Sequence, residues 1–126
     1  MGNFRKIKTW QKAKELAVDI YRLTNDQSSF SRDFRLKDQM RSAVVSIASN
    51  IAEGDERKTN KQSVQFFYIA KGSVAELMTQ IIIAQEINYI TKDVSETLLD
   101  RCDQISIMLY KLIKARSSEN RDTKAP

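Results

Sequence analysis

The sequence predicts an all-α protein, an antiparallel up-down four-helix bundle, and three observations carry that prediction. The only proline is the last residue, Pro126, so no strong breaker interrupts a long helix. Four segments repeat apolar residues at spacings of three and four, the period of a helix with one buried face. Short polar connectors separate them, and short connectors between long helices make consecutive helices antiparallel neighbours. With 126 residues the chain is long enough for a single domain with one core.

The first helix is expected over about residues 9–25, with Trp10, Ala13, Ala17, Ile20, Tyr21 and Thr24 on one face and Thr9 as its N-cap. The connector DQSSFSRD follows, in which Phe30 and Ser31 suit a hydrophobic staple and cap for the next helix. That second helix, about residues 33–53, carries Leu36, Met40, Ala43, Val44, Ile47 and Ile51. Gly54 ends it, as glycine does where a helix exits through a left-handed residue. The charged loop DERK leads to Thr59-Asn-Lys-Gln62, a capping-box pattern. The third helix then presents Ser63, Phe67, Ala70, Val74, Leu77, Ile81 and Ala84 on one face, and Asn88-Tyr89-Ile90 closes it. Thr91 or Asp93 caps the fourth, whose stripe is Val94, Leu98, Cys102, Ile105, Leu109 and Leu112. The bundle domain is therefore expected over residues 1–116. Residues 117–126, SSENRDTKAP, lack apolar periodicity and are expected as a disordered tail.

A monomeric bundle needs one apolar stripe per helix, and helices two and three have more. At about 100° per residue, Val45, Ala48 and Ala52 point away from Ile47 and Ile51. Tyr68, Gly72, Ala75, Thr79, Ile82 and Ile83 lie mostly opposite the Ala70–Leu77 face, and the fourth helix adds Leu99, Ile107 and Tyr110. Single surface apolar residues need no explanation. A second face of small residues and isoleucines on adjacent helices reads as a subunit interface, so a homo-oligomer is expected.

The chain has no histidine. That removes the commonest general base, the Ser-His-Asp and Cys-His systems, histidine metal sites, and the Glu-x-x-His motif of di-iron bundles. Cys102 sits on a core stripe and reads as a buried, inert thiol. Gly54 and Gly72 are isolated and make no phosphate-binding loop. What remains is a polar flank: Gln39, Ser42, Ser46, Asn50 and Glu53 on helix two, with Ser73, Glu76 and Gln80 on helix three. Glu53 and Glu76 could in principle share acid–base work. Interhelical hydrogen bonding among Gln39, Ser46, Asn50, Glu53, Ser73 and Glu76 is the preferred reading, because polar groups at the edge of a core must find partners. No catalytic residue, cofactor or metal site is assigned.

Lysine and arginine number 21 against 16 acidic residues, a net charge of +5, which permits a phosphate-rich partner without demanding one. Arg5, Lys6, Lys8 and Lys12 crowd the start, and Arg57, Lys58 and Lys61 crowd the loop into helix three, with Lys71 further along. Asp55, Glu56 and Glu15 are interleaved, so a solvated surface is the plain alternative. The apolar run Ile81-Ile82-Ile83-Ala84 is too short to span a bilayer, and the first ten residues lack an apolar signal core. One cysteine forms no internal disulfide, which suits a cytoplasmic location.

Four residue sets carry a family likeness: Trp10-Gln11-x-Ala13; Leu36-x-x-Gln39-x-Arg41-x-Ala43; Ser46-Ile47-x-x-Asn50-Ile51-Ala52-Glu53-Gly54; and Ala70-x-Gly72-Ser73-x-x-Glu76-Leu77. Together the chain resembles the four-helix bundle family of 23S rRNA intervening-sequence proteins, over nearly its whole length. It departs mildly, with Ser31 where the family commonly has proline and Val44 where alanine is frequent. The resemblance implies a bacterial cytoplasmic protein and a homo-oligomer, with a pentameric ring or barrel favoured, in a family with no established catalytic activity. The fold is shared with accessory proteins of diversity-generating retroelements, which bind nucleic acid and a reverse transcriptase.

The function expected is a non-enzymatic, oligomeric RNA- or DNA-binding scaffold that grips phosphates through lysine and arginine. A protein–protein adaptor, for example a partner of a reverse transcriptase, is the alternative. An enzyme built on Glu53 and Glu76 is the third and requires a cleft that joins the two carboxylates.

Overall fold

The structure, a computed structural model, describes residues 3–25 and 28–124, the last seven as backbone only. A 3-10 turn, Phe4–Lys6, precedes helix α1, Lys8–Leu23; a second 3-10 turn, Ser29–Arg32, precedes α2, Phe34–Asp55. Then come α3, Asn60–Glu86, and α4, Lys92–Lys124. Among the described residues there is no strand.

Side-chain caps begin three of the helices. Asp33 Oδ1 accepts from the Leu36 amide at 3.1 Å, Thr59 Oγ1 from Gln62 at 3.2 Å, and Thr91 Oγ1 from Val94 at 3.2 Å. Ser31 does not cap α2, because it lies inside the second 3-10 turn, whose own cap is Ser28. Thr9 is not a cap either: α1 starts one residue earlier, after Ile7, and Thr9 is buried within its first turn. At the other end of α1, Arg41 of α2 takes over the terminal groups. Its guanidinium donates to Thr24 Oγ1 (2.9 Å), Thr24 O (3.0 Å) and Tyr21 O (3.2 Å), and it stacks on the Tyr21 ring.

Gly54 corrects the sequence reading. It lies inside α2, its φ is not positive, and the left-handed exit belongs to Asn88, with φ of 66°, after α3. There the Tyr89 amide donates to Ala84 O and the Asn88 amide to Gln85 O, the paired bonds of a Schellman ending. Gly54 is needed for a different reason. A Cβ placed on it would stand 2.6 Å from Phe67 Cε1 and 3.1 Å from Ser63 O. The α2 backbone approaches α3 so closely that Ser63 Oγ donates to Gly54 O at 2.6 Å.

α2 packs against α1 and α3, α3 packs against α4, and α4 closes lightly back onto α1. Every residue expected on the α2 and α3 stripes is buried. Side chains such as Met40, Ile47, Ile51, Phe67, Leu77, Ile81, Ile105 and Leu109 are fully enclosed, each contributing about 1.5–3 kcal/mol by leaving water. α1 is rotated relative to expectation. Leu16 is fully buried and Tyr21 is exposed, because the apolar arc of this helix is wider than its core-facing strip. On α4, Val94 is exposed and Ile113 takes an inner place.

Polar ties fasten both ends. Tyr89 Oη donates to Asp33 Oδ2 at 2.9 Å while its ring meets Phe30 edge-on. At the far end Arg116 of α4 reaches Asp55 Oδ1 at 3.2 Å and Ser63 Oγ at 3.3 Å. α4 continues beyond residue 116, where a tail was expected to begin, and no glycine or proline stands in its way before Pro126. Residues 125–126 of that segment lie outside the described residues.

α3 has one further property. Its 27 residues are long and apolar enough, by length and composition, to cross a membrane, with a mean hydropathy of 1.3 over its best window. Unbroken apolar runs do not reveal this, because Ser73, Thr79 and Gln80 dilute the isoleucines without charging the helix. One face of α3 fills the core; the other is apolar and exposed.

Candidate functional site

The seam between α2 and α3 is where the sequence placed its polar row, and the row divides in three. Asn50 Nδ2 donates to Ser46 O at 2.8 Å and to Ser46 Oγ at 3.0 Å, while Ser46 Oγ meets Ser73 Oγ at 2.9 Å. These three side chains form a continuous link across the helices. Glu53 instead pairs with Arg57 of its own segment at 2.6 Å, four residues on, and Arg57 also covers the Phe66 ring. Gln39 and Glu76 are exposed and line a groove of about 400 Å³ with Ser42, Thr79, Gln80 and Ile83. Thr79 spends its proton on Ala75 O. Because Glu76 lies beside Ser42, it stands about 16 Å along α2 from Glu53. The structure does not bring the two carboxylates together.

Cys102 is fully enclosed in the core. Burial pushes its thiol up to about 12, Asp103 adds to the rise, and Arg101 opposes it. A thiol held protonated in this way is not a nucleophile at neutral pH.

The basic residues are brought together more than the sequence could show. The Phe4–Lys6 turn packs on α2, with Phe4 beside Ser49, Ala52, Glu53 and Glu56, and Gln11 Nε2 ties it to α1 by donating to Arg5 O. Arg5, Lys6 and Lys8 therefore sit at the end of the bundle where α2 stops, and Lys12 lies one turn along α1. Arg57, Lys58 and Lys61 follow directly after that stop, all exposed. Arg116 fixes the later part of α4 to the same place, which adds the exposed Lys111 and Lys114 that local grouping in the sequence missed. Asp55, which is buried here, is engaged by Arg116. Lys71 does not belong to this end. It lies midway along α3 and donates to Ser106 Oγ of α4 at 3.3 Å.

The candidate interface residues fall on two different surfaces. Val45, Ala48 and Ala52 line an apolar groove of about 810 Å³ between α1 and α2, with Phe4, Trp10, Ala17, Val18 and Tyr21. Tyr68, Gly72, Ala75, Thr79, Ile82 and Ile83 are all exposed along the outer face of α3, joined by Ile69. α1 and α3 are not packed as adjacent helices, so the two surfaces are separate.

No curated protein matches this chain. Among solved structures, a protein of unknown function from the S23 ribosomal protein family of Bacteroides thetaiotaomicron shares the fold. Its TM-score is 0.77 at 22% identity, over 84% of this chain and 98% of that one. The family described as 23S rRNA-intervening sequence protein matches residues 5–111, which span α1, α2, α3, most of α4, and the Arg5–Lys12 and Arg57–Lys61 segments. The chain belongs to the 23S rRNA-intervening sequence protein family.

Proposed function

We propose that this protein is a non-enzymatic, self-associating scaffold that binds structured RNA or DNA through phosphate contacts. The observation that carries the reading is the basic end. Two lysine- and arginine-rich segments about fifty residues apart in the chain meet where α2 stops, beside the Arg116 turn of α4. Clustered cations on one surface neutralise phosphates and release counterions without reading bases. The family's description, which refers to 23S rRNA intervening sequences, points to the same class of partner.

The assembly belongs to the same proposal. Helices running antiparallel, as Tyr89 reaching Asp33 and Arg116 reaching Asp55 suggest, place the basic groups at one pole. A ring of copies, five by family resemblance, repeats that pole around one rim and turns a small patch into a continuous cationic track. A cytoplasmic setting suits such a partner.

Fluorescence anisotropy with a labelled structured RNA at two salt concentrations tests the reading. Binding is expected to weaken steeply with salt. The triple substitution Arg57→Ala, Lys58→Ala, Lys61→Ala should lower the slope of log K against log salt by about one for each phosphate no longer neutralised. Absence of binding at low salt, or binding that the triple variant leaves unchanged, refutes it.

A further inference from the structure

Among the described residues, two apolar surfaces have no partner within the chain, and they differ in shape. The groove between α1 and α2 is concave and lined by Trp10, Tyr21, Val45 and Ala48. The outer face of α3 is a ridge on which Tyr68, Ile69, Ile82 and Ile83 are 42–56% exposed. At its centre stands Gly72. A Cβ there would meet nothing within 4 Å, so no contact inside the protomer requires a glycine. Glycine in a helix interior costs about 1 kcal/mol relative to alanine. A surface that admits another backbone at close range accounts for it.

The two surfaces match in length and in charge. From Trp10 to Arg22 the groove follows α1 for about 18 Å, and from Tyr68 to Ile83 the ridge extends about 22 Å. Lys14 and Arg22 line the groove about 12 Å apart, and among the described residues Arg22 pairs with Asp19 at 3.8 Å, both side chains open to solvent. On the ridge, the exposed Glu76 and Glu86 flank the Gly72 line, each about 40° from it and about 15 Å apart. Opposite charges at similar spacing favour one orientation of docking.

From this we infer that the α3 ridge of one copy seats in the α1–α2 groove of the next, head to tail. The inference rests on the self-association proposed above and names the surfaces that meet. A ridge-to-groove contact is heterologous, so it propagates into a ring or a filament and never into a two-fold dimer.

Two variants at exposed positions test it: Val45→Arg spoils the groove and leaves the ridge, and Gly72→Arg spoils the ridge and leaves the groove. Far-UV circular dichroism and urea denaturation check that each remains folded. In sedimentation velocity the wild type is expected to form species larger than a dimer. Each variant alone should be monomeric, with self-affinity at least 100-fold weaker. An equimolar mixture should give a one-to-one dimer and nothing larger, because one intact ridge and one intact groove remain. If either variant alone still associates, or the mixture stays monomeric while the wild type assembles, the pairing is overturned and self-association stands. A monomeric wild type overturns both.

Discussion

Replacing Gly54 with alanine is the sharpest test of how α2 and α3 meet. In an open helix the change would stabilise by about 1 kcal/mol, since alanine has the higher helix propensity. Here the new methyl stands 2.6 Å from Phe67 Cε1, 2.8 Å from Cδ1 and 3.1 Å from Ser63 O. Phe67 is fully enclosed, with the Arg116 guanidinium 5.8 Å from its ring centre, so it cannot swing aside without disturbing the core. Overpacking of this kind costs about 1–3 kcal/mol. Pushing the helices apart also stretches the Ser63–Gly54 hydrogen bond, worth about 1 kcal/mol. The net expectation is a loss of about 2 kcal/mol, which lowers Tm by roughly 6–10 °C for a domain of this size. Urea denaturation followed by far-UV circular dichroism at low protein concentration measures it. Gly72→Ala is the control: the same chemical change with open space around it should stabilise the dilute protein by about 1 kcal/mol. A Gly54→Ala protein as stable as the wild type would refute the close-approach account.

Other substitutions have equally definite outcomes. Arg116→Ala leaves Asp55, whose side chain is 5% exposed, without its cation, and a loss of about 3 kcal/mol is expected in urea denaturation. The double variant Arg116→Ala, Asp55→Ala should recover part of that loss, because no buried charge is then stranded. Arg41→Ala removes three hydrogen bonds that end α1 and should cost about 1–2 kcal/mol. Arg41→Lys should recover less than half, since an ammonium cannot reproduce the guanidinium fork. Cys102 should stay silent to Ellman's reagent at pH 8 in the folded protein and react fully in denaturant. Its folded pKa lies above the ordinary 9.0, so its contribution to stability is full below pH 9 and is lost as pH rises towards 12. Comparison of the wild type with Cys102→Ala across that range isolates it.

Much of the fold is legible in the sequence because the helices are long. The 22 residues of α2 and 27 of α3 repeat the apolar pattern over many turns, so their buried stripes can be assigned residue by residue. α1 has only 16 residues and apolar side chains over a wide arc. Nothing local decides between Leu16 and Tyr21 for the inward direction. Thr59 and Thr91 are readable as caps because the bond each makes spans three residues. Gly54 is not, because the reason for it is Phe67, on a different helix. The polar seam follows the same rule. Ser46 and Asn50 are neighbours by helical spacing, whereas Glu53 has a competing partner at Arg57, four residues on, that the sequence displays plainly. The basic end depends on a packing event, the Phe4–Lys6 turn lying against α2, which no spacing announces.

The light contact between α1 and α4 governs how this fold opens. Consecutive helices pack on one another, so most of the structure zips from contacts close in sequence, an arrangement that favours fast folding. α1 is the exception in its security. It is gripped along α2, but its hold on α4 is sparse and includes the Arg101–Asp19 pair at 2.8 Å. Local opening therefore begins there, at a free energy below that of global unfolding. Since α1 supplies one wall of the apolar groove, a neighbour seated in the groove clamps it shut. Amide exchange along Lys8–Leu23 is then fastest in the dilute protomer and slowed on assembly, so the mobility of one helix becomes a gauge of the whole.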